Sequence, residues 1–358
     1  MFRRIVAATS TAAIASAGLA LVVPTGAGAQ SSDYLGDTVS GNFFGDARDE
    51  IFDYWVGSNP ETPDALAWFE APDDYPTTGP SIQTHTQVVS GAYIPVVGDF
   101  DGDHYDEILW YAPGPTKDYV WNFNADHSHT SRLYPVNGNY WPVVGDYTGD
   151  GTDDILWYAA GKAQDYLWDY NAGGSYVSTP RTINGYYQPI SGSFGKDNTD
   201  DLIWYAPGST ADFLWDFNVG SFNYVNKGYP INGTYLPIVF DIDNDGWRGD
   251  DILWYSPGAG TDFLWNFKLG VKGNTSYNTF GLNDFPIAGD YLGDGHDDIY
   301  WYNSQALFEH SDDGTRHDWS FSIESAAAGK TASGTTEREA SSLGDLAVDK
   351  AVEASKLD

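Results

Sequence analysis

Short runs of β-branched and aromatic residues, each bounded by Gly, Pro, Asn or Asp, succeed one another along most of the chain. Runs of this kind read as strands. They recur in a fixed order. One phrase appears as VVGDFDGDHYDEILWYAPG from Val96, VVGDYTGDGTDDILWYAAG from Val143 and ISGSFGKDNTDDLIWYAPG from Ile190. It returns as IVFDIDNDGWRGDDILWYSPG from Ile238 and IAGDYLGDGHDDIYWYN from Ile287, and a divergent copy, SGNFFGDARDEIFDYW, starts at Ser40. A second phrase follows in four units, as DYVWNFN at Asp118, DYLWDYN at Asp165, DFLWDFN at Asp212 and DFLWNFK at Asp262. A third, Gly-x-Tyr-x-Pro, precedes the next copy, as at Gly91/Tyr93/Pro95 and Gly138/Tyr140/Pro142. No unit holds a stretch of about 10–12 residues with helical periodicity, so a crossover helix has no place in it.

Marked by their first loop residue, the copies begin at Asn42, Asp99, Asp146, Ser193, Asp241 and Asp290; the intervals are 57, 47, 47, 48 and 49 residues. Four strands of about 5–6 residues with four short turns use about 45 residues. The period therefore predicts a four-stranded antiparallel blade. One blade cannot cover both faces of its own sheet, whereas blades stacked around a ring do so and protect their edges. The expected fold is all-β, a β-propeller of six four-stranded blades over residues 30–323. An open β-solenoid is the runner-up, but its coils are normally shorter. The ten extra residues of the first interval are too few for a seventh blade.

Composition sharpens this picture. The 358 residues include 51 acidic and 17 basic side chains, 14 Trp, 25 Tyr, 18 Phe and no Cys, with a net charge of −34. Such aromatic content excludes a disordered acidic chain. Coulomb repulsion argues against nucleic acid or an anionic membrane surface as partner. Arg3 and Arg4, the apolar stretch Ile5 to Val23 and the Ala27-Gly28-Ala29 cleavage site predict a signal peptide over 1–29, hence a secreted, extracellular protein. No later run of about 18 apolar residues predicts a membrane span. Without disulfides, stability must come from a core, from metal, or from both. Residues 324–358 carry no aromatic side chain and read as a flexible, low-complexity tail, disordered or partly helical.

The acidic loops carry the candidate chemistry. In DFDGDHYDE, Asp99, Asp101, Asp103 and Glu107 occupy loop positions 1, 3, 5 and 9, with the Tyr105 carbonyl at position 7. Oxygens at alternate positions of a tight loop converge on one centre, and Ca²⁺ takes about 6–8 of them. Asp241, Asp243, Asp245 and Asp251 repeat the acidic set in a loop one residue longer. Asp146, Thr148, Asp150 and Asp154 lack one carboxylate; Asp290, Asp294 and Asp298 lose position 3 to Leu292. The Ser193 loop keeps Asp197 and Asp201 alone and is expected to hold no metal; the Asn42 copy is equally poor. The competing reading is Asp-rich turns whose carboxylates bond their own backbone amides. Zn²⁺ is disfavoured because no Cys or His joins the set.

The loop D-x-[DN]-x-D-G-x-x-D followed by an aliphatic strand resembles the FG-GAP repeat of integrin α-subunit propellers and the related VCBS-type repeats of secreted bacterial proteins. The resemblance spans about Ser40 to Tyr302. It implies a β-propeller with Ca²⁺ in hairpin loops on one rim, with Asp99, Asp101, Asp103 and Glu107, and likewise Asp146, Asp150 and Asp154, at the ligand positions. The family's Phe-Gly and Gly-Ala-Pro elements are approximated by YAPG at Tyr111 and Tyr205 and YSPG at Tyr255. These departures place the chain nearer the bacterial branch, and integrin ligand recognition is not carried over.

Trp110, Trp157, Trp204, Trp254 and Trp301 share one strand position, as do Trp121, Trp168, Trp215 and Trp265, which predicts inter-blade core. Aromatics that vary between copies, Trp141, Tyr186 and Phe222, are the better ligand contacts. His127 and His129 could chelate a metal from one strand face, though a solvated loop pair is the simpler reading; His104 and His296 should point outward. No G-x-S-x-G or H-E-x-x-H motif occurs. The sequence therefore reads as a secreted, calcium-binding propeller serving in binding or adhesion, with an extracellular glycan or surface protein as partner. The rivals are a polysaccharide hydrolase or lyase with its site in the propeller cleft, and a purely structural role.

Overall fold

A computed structural model describes residues 38–54, 63–72, 79–208, 211–241, 249–256, 261–268 and 286–301, and further strands at 271–272, 275–277, 306–310, 316–320, 332–333 and 336–338. Residues 1–29, read from the sequence as a signal peptide, lie outside the described residues. The strands of each 47-residue unit pair in chain order, first to fourth, as antiparallel neighbours. In the second blade they are Ile94–Gly98, Glu107–Tyr111, Tyr119–Phe123 and His129–Leu133; in the third, Trp141–Gly145, Asp154–Tyr158, Asp165–Asn171 and Ser175–Arg181. The fourth holds Gln188–Gly192, Asp201–Tyr205, Phe213–Asn218 and Ser221–Gly228.

Six such sheets form among the described residues. The first strand of each lies against the first strands of its two neighbours, and that of the first sheet, Thr38–Gly41, meets Pro286–Gly289 of the last, closing the ring. The fold is a β-propeller. The expectation of four strands throughout needs correction at the closure: the first and last sheets each gain a fifth strand, Ala332–Ser333 on Ser81–Gln87 and Thr336–Arg338 on Arg316–Ser320. Both come from the segment 324–358 read as a tail, because an outermost strand leaves unpaired N–H and C=O groups that another extended segment can satisfy.

The second strand of each blade is buried on both faces, as in Glu107–Tyr111, Asp154–Tyr158 and Asp201–Tyr205. Its Trp faces the preceding blade: Tyr54 lies against Trp110 at 5.1 Å, Tyr111 against Trp157 at 5.0 Å and Tyr158 against Trp204 at 5.2 Å between ring centroids. Trp110, Trp157, Trp204, Trp254 and Trp301 are all fully buried. Each hydrophobic cluster draws on two adjacent blades, so the core is a set of seams and not a set of blade interiors. Burial at roughly 25 cal/mol per Å² of apolar surface is what holds a cysteine-free ring.

Two polar devices repeat at the rim away from the acidic loops. The Tyr111 hydroxyl donates to the Gly138 carbonyl at 2.8 Å and accepts from the Tyr140 amide at 2.9 Å, and Tyr158 and Tyr205 do the same with the next units. Gly138 has φ +142°, and a Cβ there would stand 2.2 Å from the Tyr140 ring, which explains the glycine of Gly-x-Tyr-x-Pro. The Asp118 carboxylate accepts from the amides of Ala112 and Val136, as Asp165 does from Ala159 and Ile183, tying the start of the third strand to both flanking turns.

Candidate metal centre

The acidic loops join the first and second strands of their blades and so lie together on one rim. In the second blade Asp99 accepts the amides of Gly102, Asp103 and His104, which winds the loop around its carboxylate. Gly102 takes φ +75° to allow this. The turn brings Asp99, Asp101 and Glu107 together, with ligand oxygens all within 4.8 Å of one another, the one such group among the described residues. Asp103 stands outside the convergence; its Oδ1 accepts the Tyr105 amide and its side chain is exposed. Asn122, from the third strand, donates to Glu107 at 2.7 Å.

Glu107 is buried, and burial, with the negative charges of Asp101, Asp103 and Asp99 around it, pushes its carboxyl up to about 9. Burial likewise raises Asp101. Asp101 Oδ1 is buried with no hydrogen-bond partner. An orphaned carboxylate oxygen beside two further carboxylates fits a hard cation, which would supply the missing positive charge. The donor set therefore fits calcium at Asp99, Asp101 and Glu107.

The other loops share the winding. Asp146 accepts the amides of Gly149, Asp150 and Gly151, and Asp290 those of Gly293, Asp294 and Gly295. Asp150 accepts both the amide and the hydroxyl of Thr152, and Asp294 the His296 amide. Asp154 is buried and raised to about 9 by burial; its Oδ2 and the Thr148 hydroxyl lack partners. Asp298 is buried at the matching place in the sixth blade. In the fifth, Asp251 accepts the Phe267 amide, while Asp243 and Asp245 lie outside the described residues. Thus the loops do wind as Asp-rich turns: position 1 serves the backbone, and position 9 is buried.

The doublet that ends each loop does something the spacing did not reveal. Its second member faces its own loop; its first member reaches into the preceding blade. Asp106 accepts the Asn42 amide, Asp153 that of Asp99, Asp200 that of Asp146, Asp250 that of Ser193, Asp297 that of Asp241, and Asp49 that of Asp290, all at 2.7–3.1 Å. The backbone returns the bond each time, from the amide of the same Asp to the carbonyl of the same loop residue. Six carboxylates thereby stitch the ring shut. Gly98 makes room, since a Cβ there would lie 2.8 Å from Asp153 Oδ2. Burial raises Asp106 to about 6, Asp49 to about 7 and Asp153 to about 8. The repeated Asp-Asp or Asp-Glu pair is the sequence signal that could have pointed to this belt.

The histidines behave otherwise than the sequence suggested. His129 stacks on Trp121 at 3.6 Å and His127 on Phe44 at 4.4 Å, so each packs on an aromatic face while staying partly exposed. His296 is buried instead of pointing outward, whereas His104 is exposed. Trp141 and Tyr186 are exposed on the surface.

Residues 91–125, which contain the Asp99 loop, match the FG-GAP repeat model. No curated protein matches the chain. Among solved structures, the Tc holotoxin pore of Photorhabdus luminescens aligns at 12% identity and a TM-score of 0.50, covering 81% of this chain and 14% of that one. The chain therefore corresponds to a small part of that protein's length. The exotype rhamnogalacturonan lyase YesX aligns at 11% identity and a TM-score of 0.34, over 87% of this chain and 84% of that one. Among the described residues no helix is long and apolar enough to cross a membrane. The chain is a β-propeller carrying an FG-GAP repeat in its second blade, the blade that gathers Asp99, Asp101 and Glu107.

Proposed function

We propose that this protein is an extracellular, calcium-stabilised β-propeller acting as a binding or adhesion module toward a glycan or surface protein. The observation that carries the calcium part is the convergence of Asp99, Asp101 and Glu107 around an orphaned oxygen. Those residues would hold the ion, whose role is to neutralise clustered carboxylates and so lock the loop against its neighbours. The stitched rim gives a rigid frame whose other surfaces are free to vary. A net charge of −34 favours cations and neutral or locally matched ligands over polyanions. Secretion rests on the amino-terminal segment and suits a cysteine-free ring that gains stability from an abundant extracellular ion.

The test is calorimetry of the mature protein with calcium, binding measured directly and by thermal unfolding, followed by glycan-array screening of the loaded protein. Calcium binding that Glu107→Gln abolishes, with retained strand spectra, is the expected result. No heat of binding and an unfolding midpoint indifferent to chelator would reject it.

A further inference from the structure

One position recurs at the seams between blades, and in the third blade it carries a charge. The residue opposite the Asp that opens the third strand is Tyr134 in the second blade and Tyr229 in the fourth, their amides donating to Asp118 and Asp212. In the fifth blade Tyr277 pairs with Asp262 at this place, and in the first it is Gln87, whose amide donates to the His127 carbonyl. The side chains of Tyr134 and Tyr229 fill the seam toward the next blade. Tyr134 is buried against Trp168 and Tyr176, 6.2 and 6.1 Å away, and its hydroxyl donates to that of Tyr170 at 2.8 Å. Tyr229 packs on Trp265 at 5.6 Å.

In the third blade the position is Arg181, which pairs with Asp165 in the ladder. The walls of its seam are retained: Trp215 and Tyr224 stack at 4.1 Å as Trp168 and Tyr176 do, and Phe217 stands where Tyr170 stood. The filling ring is gone. A cavity of about 270 Å³ takes its place, lined by Arg181, Ile183, Trp215, Phe217, Phe222 and Tyr224. The guanidinium lies over the Phe222 ring at 5.6 Å. Among the described residues no carboxylate pairs with it, and Asp165 spends its oxygens on the Ala159 and Ile183 amides.

We propose that this seam is a binding site for a small ring bearing a carboxylate, the ring taking the place of the absent tyrosine and the carboxylate meeting Arg181. Aromatic walls offer faces to a ring of that size, and the planar guanidinium matches a carboxylate with two parallel hydrogen bonds. The volume falls just below that of ligand pockets, about 300–1,000 Å³, and suits one ring, not an oligomer. In a chain this acidic, an unpaired arginine in a concave aromatic site selects locally for an anion that the rest of the surface repels; the repulsion is screened beyond about 8 Å at physiological salt. A uronic acid and an aromatic acid share this chemistry. The uronic acid arm rests on the glycan-binding reading above; the site itself does not.

The full mature chain in calcium is titrated by calorimetry with methyl D-glucuronide, methyl D-glucoside and 4-hydroxybenzoate. At least one of the two acids is expected to bind about 10-fold or more tighter than the neutral glucoside, a difference of about 1.4 kcal/mol. Whichever acid binds identifies the source of the ring. Arg181→Gln should weaken that binding by a similar factor. Arg181→Tyr, which restores the residue of the second and fourth blades, should abolish binding while raising the unfolding temperature, proof that the variant folds. Equal binding of glucoside and glucuronide, binding retained in Arg181→Tyr, or no binding of either acid up to about 10 mM would overturn the site. Glycan binding that survives Arg181→Tyr leaves the binding-module reading intact and removes this seam from it.

Discussion

The Asp99 and Ser193 loops occupy equivalent places in the second and fourth blades, yet they solve the same electrostatic problem differently. Both end in a doublet whose first member stitches the ring, Asp106 to Asn42 and Asp200 to Asp146. Both bury the second member, Glu107 or Asp201. In the second blade three carboxylates converge in a set that a cation would neutralise. In the fourth, Ser193 and Gly195 replace two of them, and Asp201 is left with one oxygen on the Phe217 amide and the other buried without a partner. Burial pushes Asp201 up to about 8, so protonation is its route to neutrality. Stitching is common to both loops; affinity for an ion depends on how many carboxylates a loop adds.

The largest effect that sharpens this contrast is chelation. An ion at about 100 times its Kd stabilises by about 2.7 kcal/mol. Calcium removal should then lower the unfolding midpoint by about 4 °C at this size, read by scanning calorimetry. An unchanged midpoint would erase the distinction between the loops.

Next is the stitching shared by both. Asp153→Ala leaves the Asp99 amide without its acceptor and should cost about 1–3 kcal/mol in chemical unfolding, with or without calcium. A cost that appears only in calcium would make the belt an accessory of the metal loop.

Glu107→Gln and Asp201→Asn then separate the two loops. The first should remove most of the calcium-dependent gain; the second should leave that gain within about 0.5 kcal/mol of its original size. Equal responses would place an ion in the fourth loop as well.

Smallest is the pH response. With chelator present, Asp201 binds its proton more tightly folded than unfolded, so its contribution to stability is full below about pH 4 and is lost as pH rises toward about 8. Asp201→Asn should flatten that slope, which cannot exceed about 1.4 kcal/mol per pH unit for one proton. A slope of opposite sign would mean that Asp201 is held as an anion.

Much of this was legible in the residues. The 47-residue period, the absence of helical periodicity and the edge problem of a lone sheet lead to a ring of blades, and the strand tryptophans that recur in five of the six copies lead to a core. The alternation of carboxylates in DFDGDHYDE leads to an inward-facing loop. The surroundings of the histidine pair were not legible because spacing within a strand says which face a side chain takes, not what waits on that face; Trp121 of the adjoining strand and Phe44 of the first blade wait there. Asp106 and its five counterparts passed as loop filler because their partners lie in the neighbouring unit, 54 residues away for Asp99 and Asp153 and 241 for Asp49 and Asp290.

What the sequence settled unaided is whatever a single unit decides for itself: strand length, turn chemistry and the carboxylates each loop contributes, since these follow from neighbours a few residues apart. Tertiary structure alone decided which member of each doublet joins two blades, where the ring closes, and that Arg181 stands at the mouth of a void. Those outcomes depend on how much space one blade leaves for the next, and that space is defined by two surfaces at once, never by one stretch of chain.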